Sequence, residues 1–224
     1  MRTTWAEDLI GTASGVLGGA DLALLRELLA FLEQRLQGAA GECAVIGTLA
    51  AGEAKAGRAQ AALHRFLRDS WDALDALGRV ANVCLYERFP DSRLWPPGSM
   101  TRQCTFYTVR RALHSHPAAA GHPVSRLLWD ETRSAPPEAY VRLSLLRNLS
   151  VFALVPLPEG QMLPGSGDIP PHLAALVKGY PVGRCELVQG CSEMLRWLGG
   201  FVARCCGGLA TALTAGGGGG SFSL

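Results

Sequence analysis

The sequence predicts an all-α protein, an antiparallel bundle of five to seven helices with Pro- and Gly-rich loops. Three observations carry this. Apolar side chains recur at spacings of three and four over several long segments, no segment alternates with the period of two of a half-buried strand, and every proline falls between the periodic segments or in a first helical turn. The chain has 224 residues, 48% hydrophobic and 18% charged, enough to bury an apolar core without disulfide or metal staples.

The first dozen residues predict a short helix before the Gly18-Gly19 break. Asp21 is placed to cap a helix over 22–37, with Leu25, Leu28, Leu29, Leu32 and Leu36 on one face and Gly38 at the C′ position. No proline occurs between residues 41 and 86, where Leu63, Phe66, Leu67, Leu74, Leu77, Ala81, Cys84 and Leu85 form one stripe. Gly47, Gly52 and Gly57 mark the weaker, earlier part of that stretch. Arg65–Asp69, Arg68–Asp72 and Asp75–Arg79 are spaced i, i+4, which predicts intrahelical ion pairs of a few tenths of a kcal/mol each, roughly.

The connection over 89–99, with Trp95-Pro96-Pro97-Gly98, is long. It is either packed down by Leu94 and Trp95 or functional, and packing is favoured. Further helices are predicted over 101–114, from Pro123 to Thr132, and over 138–154. The 138–154 helix is apolar nearly all round, which places it centrally or between protomers. A Pro/Gly-rich loop over 156–171 and a short helix over 171–177 lead to a last helix over 184–206. Gly199-Gly200 in its middle predicts a kink or a close helix crossing. These boundaries give a single helical domain over 1–206 and a flexible Gly-rich tail over 207–224.

With 21 basic and 19 acidic residues the formal charge is +2, so no bulk field favours an anionic membrane, and nucleic acid is the less favoured partner. Glycines and serines from Gly207 onward interrupt the longest uncharged stretch, so no membrane span is expected. The seven cysteines are odd in number and sit mostly in apolar patterns, and Glu7 and Asp8 precede any apolar run of a secretory leader. They predict reduced, buried thiols in a cytoplasmic protein.

No P-loop, GxSxG, HExxH or CxxC motif is present. His114, His116 and His122, with Cys104, are the best metal-ligand set, but helix ends account for His114 and His122, so neither metal nor cofactor is expected. Cys205-Cys206 reads as packing rather than an acylation site.

Arg147-Asn148 lies within an apolar helix. A buried guanidinium needs a partner such as Asp72, Asp75 or Glu131, and failing that could hold a phosphate or carboxylate. Small helical ribonucleases of the HEPN class use an Arg and a His separated by four to six residues, generally with a polar residue after the Arg. Arg111 and His116 have four residues between them, and Arg58 and His64 have five, but Ala112 and Ala59 occupy the polar place. The candidate binding residues are therefore Arg147, Asn148, Arg111 and His116. The expected function is a helical interaction protein, working as a homo-oligomer or as a subunit that binds another protein. The alternative is a HEPN-like, metal-independent ribonuclease or an inactive relative of one.

Overall fold

The computed structural model describes residues 3–49, 56–151, 162–169 and 180–216. The protein is all-α, with 78% of the described residues helical. In chain order the helices are α1 (Thr4–Ala13), α2 (Gly19–Leu49), α3 (Ala56–Leu85), α4 (Phe106–Ser115), α5 (Pro117–Ala120), α6 (Pro123–Trp129), α7 (Glu138–Val151) and α8 (Leu187–Gly216). One two-residue antiparallel pairing, β1 (Met162–Leu163) with β2 (Cys185–Glu186), is the only sheet among the described residues. Most of the expected loop at 156–171, the expected helix over 171–177 and the tail beyond 216 lie outside the described residues.

The chain folds into two compact units: Met1–Gln34, Ala73–Asp130 and Phe201–Leu224 form the first, and Arg35–Asp72 with Glu131–Gly200 the second. In the first unit the leucine stripe of α2 and the matching face of α3 are buried, with Leu25, Leu29, Leu32, Leu74 and Leu77 at most 1% exposed. Each such side chain contributes about 1.5–3 kcal/mol of burial free energy. Phe106 and Phe201 meet edge to face at 6.0 Å, the favoured geometry for aromatic quadrupoles. Glu33 accepts both the backbone N–H of Thr3 (2.6 Å) and its hydroxyl (2.7 Å), which secures the start of α1.

In the second unit α2 does not stop at Gly38. The helix runs on through Gly38, Gly41 and Gly47 to Leu49. The physical reason is a close approach rather than a cap: a Cβ at Gly38 would fall 2.5 Å from a carboxylate oxygen of Asp69. That contact lets Arg35 reach Asp69 at 3.0 Å. Charges expected to pair along α3 serve tertiary links instead. Arg65 forks onto Glu42 at 2.6 and 2.9 Å, and Asp72 lies 3.8 Å from Arg35.

The final helix also corrects the expectation. It continues past Cys206 through Gly207 and Gly208 to Gly216, with no break at Gly199. A Cβ on Gly199 would touch nothing within 4 Å, whereas one on Gly190 would strike Leu163. The tight approach on this helix is thus at Gly190, against the Leu163 and Cys185 side chains of the short strands, and no close crossing is made at Gly199. As a result Leu187–Ala215 is long and apolar enough to cross a membrane by length and composition, with 44% of its most apolar window buried inside the fold. The Gly-rich sequence had argued against any segment of that length.

Candidate functional site

The site is built on one face of α3. Asp75, Gly78, Arg79 and Asn82 follow one another at helical spacing, and each holds a piece of the adjoining chain. Asp75 accepts the N–H of Phe106 at 2.8 Å, the first residue of α4. Gly78 lies so close to that helix start that a Cβ would be 2.6 Å from the Phe106 Cα. Arg79 donates to the Cys104 carbonyl at 3.0 Å. The fully buried Asn82 donates to the Trp95 carbonyl at 2.7 Å and accepts the Trp95 N–H at 3.0 Å. The loop 86–96 is thereby pinned, with Phe89 and Leu94 buried beneath it.

Thr105 caps α4 in a reciprocal box with Thr108, so this helix begins five residues later than the periodicity suggests. His116 and His122 cap the two short helices that follow, each preceding a proline at the first helical position. Their Nδ1 atoms accept N–H bonds from Ala119 and Val124, both at 3.3 Å. Phe89 sits beside both imidazoles, at 6.0 Å from His116 and 5.6 Å from His122. Burial, and then the nearby Arg88, lowers the pKa of His122 below its ordinary value, consistent with a ring whose Nδ1 must stay unprotonated.

Between the pinned loop and α4 lies an open cleft of about 520 Å³. Asp91, Arg93 and Trp95 line one side, and Tyr107, Arg111 and His116 the other. The structure thus brings Arg111 and His116 to one cleft. Arg93 and Arg111 make no hydrogen bond or ion pair with another described residue. Tyr107 is 54% exposed, a high value for an aromatic ring. Ser92 and Thr108 also line the cleft, but their hydroxyls donate to the carbonyls of Phe89 and Gln103. A second hollow, of about 470 Å³, is lined by Asp21, Glu27 and Arg79 among others; its guanidinium is already engaged by Cys104.

Arg147 and Asn148 line none of this cleft. Arg147 is half-buried, its guanidinium 4.9 Å from the centre of the Trp71 ring and 3.5 Å from the Asn148 side-chain oxygen. The carboxylates expected to serve it are used elsewhere: Asp72 by Arg35, Asp75 by Phe106, and Glu131 by the Trp197 indole at 3.2 Å. The buried arginine of α7 is Arg142, 2% exposed, which donates to Glu138 at 2.5 Å and to the Gly183 carbonyl at 2.9 Å.

The remaining nucleophile and metal candidates are spent in packing. None of the seven cysteines is in a disulfide, and Cys205 and Cys206 are both fully buried. Burial raises the thiol pKa of Cys104 to about 11 and of Cys206 to about 12, which removes the reactive thiolate at neutral pH. His114 lies flat on Trp129 at 3.5 Å. Among the described residues no three His, Cys, Asp or Glu side chains are grouped to hold a metal ion. Arg58 is exposed and His64 half-buried on α3.

Sequence reasoning missed Arg93, Tyr107 and Asn82. A lone amide inside Val80-Ala81-Asn82-Val83-Cys84 was the available signal, because an Asn in an apolar stripe must satisfy its hydrogen bonds somewhere. Fold and site together define an all-α protein with a small cleft of arginines and aromatic rings. Comparison with protein-family models, curated proteins and solved structures finds no match.

Proposed function

We propose that the protein is a helical interaction module whose cleft between loop 91–95 and α4 receives another protein, a second copy of the chain being the other candidate. The observation that carries this is the pair Arg93 and Arg111, without partners among the described residues, beside Trp95 and the exposed Tyr107. Arg, Trp and Tyr are the residues that dominate binding energy at protein interfaces. A broad apolar face is not what supports the reading, since Val16, Val45 and Tyr107 are the exposed large apolar side chains among the described residues. The protonated thiols and the capping histidines favour binding over catalysis.

A cytoplasmic setting, away from the membrane, fits the same reading. Seven cysteines outside any disulfide suit a reducing compartment. Leu187, Cys191, Met194, Leu198, Phe201, Val202, Cys205 and Leu209 of α8 are buried by protein, which supports a core role for this helix. A photo-crosslinker placed at Tyr107 tests the proposal in cells. A protein adduct that disappears with Arg111→Glu supports it; the absence of any protein adduct sinks it.

The second reading, a HEPN-like ribonuclease or an inactive relative, is favoured by Arg111 and His116 sharing one cleft. There the Arg would stabilise phosphate charge and the free Nε2 of His116 would move a proton. RNA cleavage abolished by both Arg111→Ala and His116→Ala would establish it over the first.

A further inference from the structure

We infer that the occupant of the cleft is a short protein segment in which a single carboxylate stands next to an apolar side chain, an aromatic ring above all. This rests on the interaction reading and names the partner chemistry for it.

The donors left over in the cleft define the ligand. Ser92 and Thr108 have given their hydroxyl protons to backbone carbonyls, and His116 spends Nδ1 on the Ala119 N–H. Two guanidinium groups remain as charged donors with all their N–H groups unclaimed by described residues, beside the neutral donors His116 Nε2, the Tyr107 and Ser115 hydroxyls and the Trp95 indole N–H. A planar fork matches a carboxylate or a phosphate oxygen pair and no neutral group as well. Asp91 on the same rim decides between one charge and many. Counted over the lining, its carboxylate offsets one of the two guanidinium charges, which leaves room for one added negative charge and disfavours a run of phosphates. The chain's formal charge of +2 supplies no wider field to favour one.

The aromatic walls supply the other half of the recognition. Tyr107 and Trp95 present apolar ring area on either side of the arginines, and ring faces prefer offset or edge contacts with another aromatic side chain. A cleft of about 520 Å³ has the size of a small-ligand pocket, room for two or three side chains and not for a folded surface. The ligand is thus a linear motif of a partner.

The test is fluorescence anisotropy on the full chain with labelled eight-residue peptides carrying one glutamate next to a phenylalanine. A glutamine version, a version with alanine for the ring, and an eight-nucleotide oligo-uridine serve as comparators. The glutamate peptide is expected to bind, with the glutamine version at least ~10-fold weaker and Arg111→Glu or Arg93→Glu costing about the same factor. Both arginine side chains lie on the surface, and a circular dichroism melt confirms that these variants keep the fold. Binding within about twofold for glutamate and glutamine peptides overturns the inference. So does tighter binding of the oligonucleotide, or no binding by any peptide of an acidic–apolar library below ~1 mM. The two levels separate cleanly: a crosslink from Tyr107 to a partner segment without carboxylates ends this inference and leaves the interaction reading standing. No crosslink and no peptide binding ends both.

Discussion

The two units handle buried polarity by different chemistry. In the second, the named charges meet charges: Arg35 with Asp69, Arg65 with Glu42, the exposed Arg184 with Asp168, and Arg142 with Glu138, though Arg142 also donates to the Gly183 carbonyl. In the first, the named polar groups end on neutral ones: Glu33 on Thr3, Asp75 on the Phe106 N–H, Arg79 on the Cys104 carbonyl, Arg88 on the Ala212 carbonyl at 2.8 Å, and Asn82 on both backbone groups of Trp95. Charge pairing binds two side chains and is screened by salt where it is exposed. A side chain clamped onto backbone instead fixes the course of a loop. The unit built on backbone clamps is the one that carries the cleft and leaves Arg93 and Arg111 free to bind.

The sharpest way to break this contrast is to remove one clamp from each unit. Asn82→Leu deletes both hydrogen bonds to Trp95 and leaves a backbone N–H and C=O without those partners. It should cost about 2–4 kcal/mol and lower the melting temperature by roughly 5–10 °C for a chain of this size. Arg142→Met should cost less, about 1–3 kcal/mol, because its partner Glu138 has a side chain 63% exposed and can turn to water. Equal losses in urea denaturation would show that the two clamps are equivalent, contrary to the comparison.

A pair of glycine substitutions tests the close approach beneath the cleft. Gly78→Ala drives a Cβ against the backbone of Phe106 and should destabilise by about 1–3 kcal/mol. Gly199→Ala meets open space and should stabilise by up to about 1 kcal/mol. Opposite shifts in midpoint check the assignment; shifts of the same sign refute it.

Acid should act on the His122 cap. Its folded pKa lies below the ordinary 6.5, so the neutral form is the one the fold prefers. Its contribution is complete above about pH 6.5 and is lost as pH falls from there toward the lowered folded value. His122→Asn keeps a capping oxygen without a titrating ring, and the difference between its stability–pH curve and that of the parent should vanish above pH 7 and grow toward pH 5.

The smallest effect belongs to Arg147→Ala. A half-buried guanidinium over Trp71 is worth about 0.5–1 kcal/mol, so its melting curve should move by only one or two degrees. A drop of many degrees would restore the buried ion pair that its place in an apolar helix suggested.

Helix identity was legible in the sequence, because it depends on spacings along one element. The i, i+4 charge pairs of α3 and the stop at Gly38 were misread for a shared reason. Local rules assign Arg65 to Asp69 and Gly38 to a cap, while a neighbouring helix offers Arg65 the two oxygens of Glu42 and needs Gly38 for clearance. Arg142 and Arg147 stand five residues apart on one helix, and only the packing reveals which of them is enclosed.

By itself the sequence determined the helical class, the apolar stripes and the histidine-proline helix starts, since periodicity, capping and fixed proline geometry act within a few residues. Only the tertiary structure decided that Arg93, Trp95, Tyr107, Arg111 and His116 border one cleft. That grouping depends on Asn82 and Asp75 reaching across to backbone 13 and 31 residues away in the chain, and no spacing rule along one helix encodes a contact made by two.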